Sequence, residues 1–338
     1  MATIEDVAKA AGVSVATISR VLNNSSMVKT ETAEKVRRVI REVGYIPNLS
    51  ARNLRKNESR VVLVLAPNFS NPFYARILSG ISDKAREVDY SAFICNTGGS
   101  EEAAVEYLEM LENGRADGVI RLNCDYDYQW PERFLHYPMV QCAEYTAMQG
   151  IPRVCIDNYR AAYDSVQFLL QQGHSRIGIV SSTNRFSSTK QRLEGYRDAL
   201  TDAGVSMQDS YIAYADDEYT FDSGLAATEE LLTQTTPPTA LFCISDILAL
   251  SAIAKGREMG LDIPGDLIVM GFDDVAYAKI FHPYLTTVVQ PCYNLGYQSM
   301  TLLHQYILDR GNVPESVILP HELKVRESTA GKNIQVQK

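Results

Sequence analysis

Two hydrophobic periodicities divide the chain. Up to about residue 44, apolar residues recur every three or four positions in short runs. Ile4, Val7, Ala8 and Ala11 predict a first helix, with Thr3 as its cap and Asp6 three residues on, and Gly12 as its stop. Ser14 is placed to cap a second helix over 15–22, which buries Ile18, Val21 and Leu22 and leaves Val15, Ala16, Ser19 and Arg20 outward. A third helix is expected from Thr30, read as its cap, through Val36, Val39, Ile40 and Val43 to Gly44. Two short helices about a glycine turn, buttressed by a third, make an all-α helix-turn-helix unit.

From Arg60 the pattern changes to short apolar runs that alternate with amphipathic stretches. VVLVLAP (61–67), SAFICN (91–96), DGVIRL (117–122) and PMVQCA (138–143) read as strands. A second series follows: RVCID (153–157), RIGIVSS (176–182), YIAYA (211–215), TALFCIS (239–245), LIVMGFD (267–273) and TTVVQ (286–290). Helical period over 74–88 and the stretches between the other runs predict an α/β body of parallel sheets, doubly wound, with ligands beyond the carboxyl ends of the strands. No G-x-G-x-x-G, no G-x-x-x-x-G-K-[ST] and no G-x-S-x-G interrupts it, and the five histidines have no metal-ligand spacing. Neither a cofactor nor a metal is expected.

Charge sharpens the division. The net charge of −9 is the sum of unlike parts: residues 1–60 hold eleven Lys/Arg against six Asp/Glu, a surplus of +5, which leaves −14 on the rest. A basic head on an acidic body points to a polyanion partner at the head. Six scattered cysteines without a C-x-x-C pair read as buried free thiols of a reducing compartment. The sequence shows no signal-peptide plan and no apolar run long enough for a membrane span, so a cytoplasmic location and no membrane partner are expected.

The outward row on the second helix suits DNA. Small side chains at Val15 and Ala16 permit close approach to the major groove and contact with a thymine methyl, and Arg20 has the fork geometry for guanine O6 and N7. Ser14 and Thr17 are candidates for phosphate contacts. Residues 45–60, YIPNLSARNLRKNESR, follow. Pro47 breaks the preceding helix, Ser50 is a cap, and Ala51, Arg52, Leu54 and Arg55 lie on a basic helix too short to hold alone. Two readings of it stand: a hinge that folds on DNA with Leu54 as a minor-groove wedge, or a charged tether whose Leu packs on the body.

T-I-E-D-V-A-K-A-A-G-V-S-V-A-T-I-S-R-V-L-N, followed by V-G-Y-I-P-N and A-R-N-L, resembles the LacI/GalR family of bacterial repressors, and the likeness runs over essentially the whole chain. The resemblance implies that Val15, Ala16 and Arg20 read bases and that Leu54 levers open the minor groove. It also implies a body similar to periplasmic sugar-binding proteins, in two discontinuous lobes. The implied division is 1–46 for the DNA-binding domain, 47–59 for hinge helix and linker, 60–159 with 291–318 for one lobe, 160–290 with 319–330 for the other, and 331–338 as a tail. The tail, AGKNIQVQK with its flank, has no heptads and so no tetramerising helix is expected. Operator geometry implies a homodimer on a pseudo-palindrome.

Effector candidates are sought at strand ends. PNFSNPFY offers Phe69, Asn71, Phe73 and Tyr74, an aromatic wall with one amide, although Phe73 reads equally as a helix staple. By the resemblance, Arg192 is the effector-binding arginine, Asp273 accepts ligand hydroxyls, Ser245 faces the cleft and Tyr219 is an aromatic platform. Asp273 reads alternatively as the cap of a helix over 275–281, Asp246 reads as the cap of helix 247–259, and Glu144 and Gln290 are weaker candidates. Phe186 stands near where purine-responsive relatives carry an arginine, which speaks against a purine. ARNLRKNESRVVLVLAP and PPTALFCISDILAL resemble the cytidine-responsive branch, and PNFSNPFY with YTFDSG the catabolite-control branch, so sugar and nucleoside both stay open. The expectation is a non-enzymatic, effector-controlled DNA-binding regulator, most simply a repressor. A solute-binding receptor fits the body alone but lacks a signal peptide and has no use for residues 1–59, and a sugar- or nucleoside-processing enzyme on the same fold is told apart by turnover of a bound ligand.

Overall fold

The computed structural model describes residues 2–22, 27–45, 58–67 and 70–330. Two compact units, Met1–Ser59 and Arg60–Lys338, are each described by themselves. In the first, α1 (Ile4–Ala11), α2 (Val15–Leu22) and α3 (Thr30–Val43) close on Val7, Ala11, Ile18, Val21, Val36 and Val39. Thr3 and Asp6 form a reciprocal capping box on α1, and Gly12 and Gly44 end α1 and α3 in the left-handed region at φ 64° and 66°. The expected cap at Thr30 is corrected: Thr30 is already the first helical residue, Lys29 takes the extended position before it, and no side chain caps this helix.

The second unit holds two six-stranded sheets. Along the chain run β1 (Val61–Ala66), α4 (Pro72–Glu87), β2 (Ser91–Asn96), α5 (Glu101–Glu112), β3 (Gly118–Arg121), β4 (Met139–Cys142) and β5 (Arg153–Ile156). Then come α6 (Asn158–Gln171), β6 (Ile177–Ser182), α7 (Ser187–Asp202), β7 (Ile212–Ala215), α8 (Phe221–Leu232) and β8 (Ala240–Cys243). α9 (Asp246–Glu258), β9 (Ile268–Asp273), β10 (Thr286–Val289), α10 (Cys292–Leu308), β11 (Val317–Leu319) and β12 (Glu322–Lys324) complete it. The sheet orders are β11-β5-β4-β3-β1-β2 and β12-β10-β9-β8-β6-β7, and every pairing is parallel except β10 with β12. The chain passes from the first sheet's lobe to the second's between β5 and α6, back between β10 and α10, and across again between β11 and β12.

Strand β1 shows why the sheets are covered on both faces. Val62, Val64 and Ala66 enter one core with Ile77 and Leu295, while the alternate Leu63 and Leu65 enter another with Leu108 and Phe134. A run of six apolar residues in a period-two element has no polar face to offer water, so helices must cover both sides.

Each lobe also carries the same clasp between two helices. In the first, Tyr293 and Tyr297 of α10 donate their hydroxyls to Asp83 (3.0 Å) and Glu87 (2.7 Å) of α4. In the second, Tyr159 and Tyr163 of α6 donate to Asp198 and Asp202 of α7, both at 2.9 Å. A glycine three residues before the first acid, Gly80 or Gly195, lets the helix backbones meet.

Candidate functional site

On α2, Ser14 accepts from the Thr17 amide (3.1 Å) and its hydroxyl shares a hydrogen bond with that of Thr17 (2.9 Å), which holds the helix entry. Ile18 and Val21 point into the core, so Val15, Ala16 and Arg20 are exposed on the other side, and Thr17 is half-buried. Arg20 makes no hydrogen bond or ion pair among the described residues. Ala51, Arg52, Leu54 and Arg55, the expected hinge, lie outside the described residues, as does Phe69.

The cleft between the lobes of the body is built from segments that follow the strands' carboxyl ends. It consists of an outer chamber of about 340 Å³ and an inner one of about 20 Å³, room for about one water. Asn71, Tyr74, Phe186 and Tyr219 line both. The structure brings Asn71, Phe73, Arg192, Tyr219, Ser245 and Asp273 together around the inner chamber. Three residues there, Ala143, Tyr219 and Asp273, take positive φ (69°, 58° and 117°) without being glycine. Such backbone persists only where surrounding packing over-determines it, and it clusters at ligand clamps.

Several of these side chains also hold the protein itself. Asn71 caps α4, its Oδ1 accepting from the Phe73 amide at 3.0 Å. Ser245, not Asp246, caps α9, accepting from the Leu248 amide at 3.3 Å. The cap expected of Asp246 is therefore corrected. Asp246 is the first helical residue, and its buried carboxylate turns to the Val275 amide (2.8 Å) and the Thr287 hydroxyl (2.6 Å). Asp273 caps no helix either. The segment expected as a helix over 275–281 is only a 3-10 turn, Ala276–Lys279, and Asp273 instead accepts from Gln290 Nε2 at 2.7 Å.

Arg192 is buried on α7. Its Nε and Nη2 donate to Asn158 Oδ1 (3.0 and 2.9 Å), Nη1 donates to the Ile244 carbonyl (2.6 Å), and the guanidinium lies 3.6 Å over the Phe272 ring. Burial outweighs the attraction of Arg192 and pushes the Asp273 carboxyl from 3.8 to about 7. Burial likewise raises the Glu144 carboxyl, against the pull of its bonds to Ser188, of Arg192 and of Ser187. Tyr74 is pushed up by burial and by Glu144, Tyr219 and Asp273 around it.

Glu144 does more than sequence alone shows. It lies in the loop after β4 of the first lobe, yet its Oε2 accepts from the Ser188 amide (2.9 Å) and the Ser187 hydroxyl (2.8 Å) at the start of α7 in the second. No residue of its own segment caps α7, so a carboxylate from the opposite lobe occupies that helix N-terminus. The Tyr145 amide adds a bond to Ser187 Oγ (3.2 Å) and Gln191 donates to the Tyr145 hydroxyl (2.6 Å). Nearer solvent, Asp125 and Phe186 pair as an antiparallel bridge, and Arg185 meets Asp127 at 2.7 Å. Asn158 and Ser188 escaped the sequence reading. Asn158 follows the end of a strand, a signal of the kind that marked Asp273, whereas nothing local marks Ser188.

Among the described residues no group of three or more His, Cys, Asp or Glu is placed to hold a metal, and no helix is long and apolar enough to cross a membrane. All six cysteines are buried and free.

Known proteins agree with this arrangement over almost the full length. A model of bacterial regulatory proteins of the lacI family matches residues 3–48, and one of periplasmic binding proteins and the sugar binding domain of the LacI family matches 59–327. The HTH-type transcriptional repressor CytR of Escherichia coli K12 is 36% identical over 330 residues, 97% of this chain and 96% of that protein. Catabolite control protein A of Priestia megaterium is 37% identical over 331 residues, 97% and 99% of the two chains. Among solved structures, the lac repressor dimer bound to operator and the anti-inducer ONPF matches with a TM-score of 0.85 at 26% identity, covering 98% and 99%. The complex of the transcriptional regulator CelR with cellobiose matches with 0.74 at 31% identity, covering 97% and 100%.

Proposed function

The chain belongs to the LacI family of bacterial regulatory proteins, and from that premise we propose that it represses transcription in the cytoplasm as a homodimer on a pseudo-palindromic operator. A sugar or nucleoside bound between the lobes of the body controls it. The observation that carries the DNA role is the exposed row Val15, Ala16 and Arg20 on a helix whose opposite face is locked into a core. In this reading these three contact bases, Ser14 and Thr17 contact phosphates, and Leu54 with Ala51, Arg52 and Arg55 engages the minor groove.

The effector role rests on the gathering of Asn71, Phe73, Arg192, Tyr219, Ser245 and Asp273 about one chamber with room for about one water. A ligand must part the lobes to enter and then replaces their contacts with its own, which is how binding energy reaches the DNA unit. No residue is assigned a catalytic role. Two exposed apolar groups support a dimer: Phe93 and Ile94 on edge strand β2, and Phe221, Tyr277, Ile280 and Phe281 on the second lobe.

Selection of binding sites from a random DNA library tests the DNA role. Arg20→Ala should relax preference at one position in each half-site, at a cost of roughly 1–3 kcal/mol there. An equal loss on every sequence would make Arg20 a phosphate contact and sink the assignment.

A further inference from the structure

A groove of about 570 Å³ runs along the α7 side of the second lobe, within the roughly 300–1,000 Å³ of small-ligand sites. Glu144, Arg192, Tyr219 and Asp273 do not line it, so it is distinct from the cleft, although Phe186 borders both. We propose that this groove is a second ligand site, for a small aromatic acid whose ring lies among Tyr126, Leu193 and Tyr214 and whose carboxylate meets Lys190, and that its occupant fastens the two lobes together. Tyr214 on edge strand β7 is in register with Ser181 on β6, so both side chains leave the same face of the sheet, and Leu193 of α7 lines the groove with them. Tyr214 is 49% exposed. Tyr126 comes from the first lobe, half-buried, with Lys190 Nζ 4.6 Å from the centre of its ring. A flat ring is the shape that packs well against such side chains.

Charge selects the acid. Lys190 is exposed and makes no ion pair among the described residues, whereas Arg185 beside it is taken by Asp127. The groove therefore holds one uncompensated positive charge, on a body whose residues 61–338 sum to −14. A carboxylate is its complement. The Ser181 hydroxyl, which is buried, finds no hydrogen-bond partner among the described residues, and a hydroxyl on the ligand's ring is of the right kind to meet it. Tyr126 ties the site to closure. Its amide donates to the Arg185 carbonyl (2.8 Å), beside the bridge between Asp125 and Phe186, so it covers the groove only while the lobes meet there. An occupant gains its contacts with Tyr126 in that arrangement alone, and so shifts the lobes toward it.

The test is calorimetric titration of the full chain with three probes: 4-hydroxybenzoate, its neutral amide 4-hydroxybenzamide, and trans-4-hydroxycyclohexanecarboxylate, which keeps the charge and loses the flat ring. 4-Hydroxybenzoate should bind with a dissociation constant of about 1 mM or tighter, and the other two about tenfold or more weaker. Lys190→Gln and Tyr214→Ser, both at exposed positions, should each weaken 4-hydroxybenzoate by about tenfold, with unfolding midpoints near that of the parent protein to show that the fold is intact. Hydrogen exchange read alongside should show slower exchange of the Tyr126 amide when the acid is bound. No binding at about 1 mM, or an amide that binds as well as the acid, overturns the proposal. Binding of 4-hydroxybenzoate that neither variant weakens places the acid in the cleft instead, which overturns the second site and leaves the reading of the cleft standing. Unchanged exchange at Tyr126 overturns the fastening of the lobes.

Discussion

Gly80 of α4 lies directly against the backbone of Tyr293 on α10: a methyl group built on Gly80 would stand 2.0 Å from the Tyr293 carbonyl oxygen. The contact is reciprocal, since a methyl on Gly296 would stand 1.9 Å from the Ile77 carbonyl oxygen. The obstacle in both cases is helix backbone, which cannot rotate aside as a side chain can. Gly80→Ala should therefore force the helices apart and destabilise the body by about 3 kcal/mol, roughly 5–10 °C in the unfolding midpoint. Tyr297→Phe, which removes a hydroxyl that donates to exposed Glu87 and accepts a long bond from Lys84, should change stability by about 1 kcal/mol or less. Calorimetric scans of the two variants check this, and a harmless Gly80→Ala would mean that the helices can slide.

The interlobe contacts differ in value because they differ in burial. Ser187 is buried, accepts from the Tyr145 amide and donates to Glu144, so Ser187→Ala should cost about 2 kcal/mol by leaving both partners short. Arg185 and Asp127 are both largely solvated, and Arg185→Ala should cost about 0.5 kcal/mol or less. Urea unfolding ranks the pair. The reverse order would place the strength of the closure at the rim.

Much of the architecture was legible. The strands fall within the apolar runs, because a strand covered on both faces must be apolar throughout, but RVCID, read with the second series, is β5 of the first sheet. Strands β11 and β12 were not assigned from the sequence: with three residues each and exposed positions among them, VIL and ELK give no period to read. At the site, Arg192, Tyr219 and Asp273 were singled out through the family resemblance, and all three line the chamber. The link between Glu144 and Ser188 was invisible. It joins residues 44 apart across two lobes, and neither end departs locally from an ordinary loop or helix start. Asp246 and Ser245 show a finer limit, since both are good caps and only the backbone decides which of two neighbours stands outside the helix.

Arg192 should resist its usual conservative replacement. Arg192→Lys keeps a positive charge but has no planar fork to reach Asn158 Oδ1 and the Ile244 carbonyl together. The variant should lose about 2–3 kcal/mol of stability, and the amides at the start of α6 should exchange faster. Hydrogen exchange followed by mass spectrometry reads this directly, and unaltered protection there would show that Asn158 is held by other means.

Asp273 makes a prediction about pH. Its carboxyl is raised by burial from 3.8 to about 7, so between those values the folded protein holds a proton that the unfolded chain has released. The group's contribution to stability thus falls as pH rises from about 4 to about 7 and stays low above that. Asp273→Asn keeps an oxygen for Gln290 and removes the titration. Its stability relative to the parent protein should rise across that window, by on the order of a few kcal/mol at pH about 8. Denaturation curves of both proteins at several pH values measure the difference, and a constant offset would show that Asp273 stays ionised throughout.

The threading of the body has a consequence for its synthesis. Neither sheet is whole until the last tenth of the chain has been made: α10 and β11 complete the first, and β12 with Ser328, which bonds to Val269 and Thr286, completes the second. Among the described residues, the helices of the N-terminal unit and the side chains of their core are all present by residue 45. On a translating ribosome, where units fold as they emerge, the DNA reader matures long before either half of the sensor. A message cut short late in the reading frame therefore yields a folded reader tied to a sensor that never closed, able to find DNA but deaf to any signal.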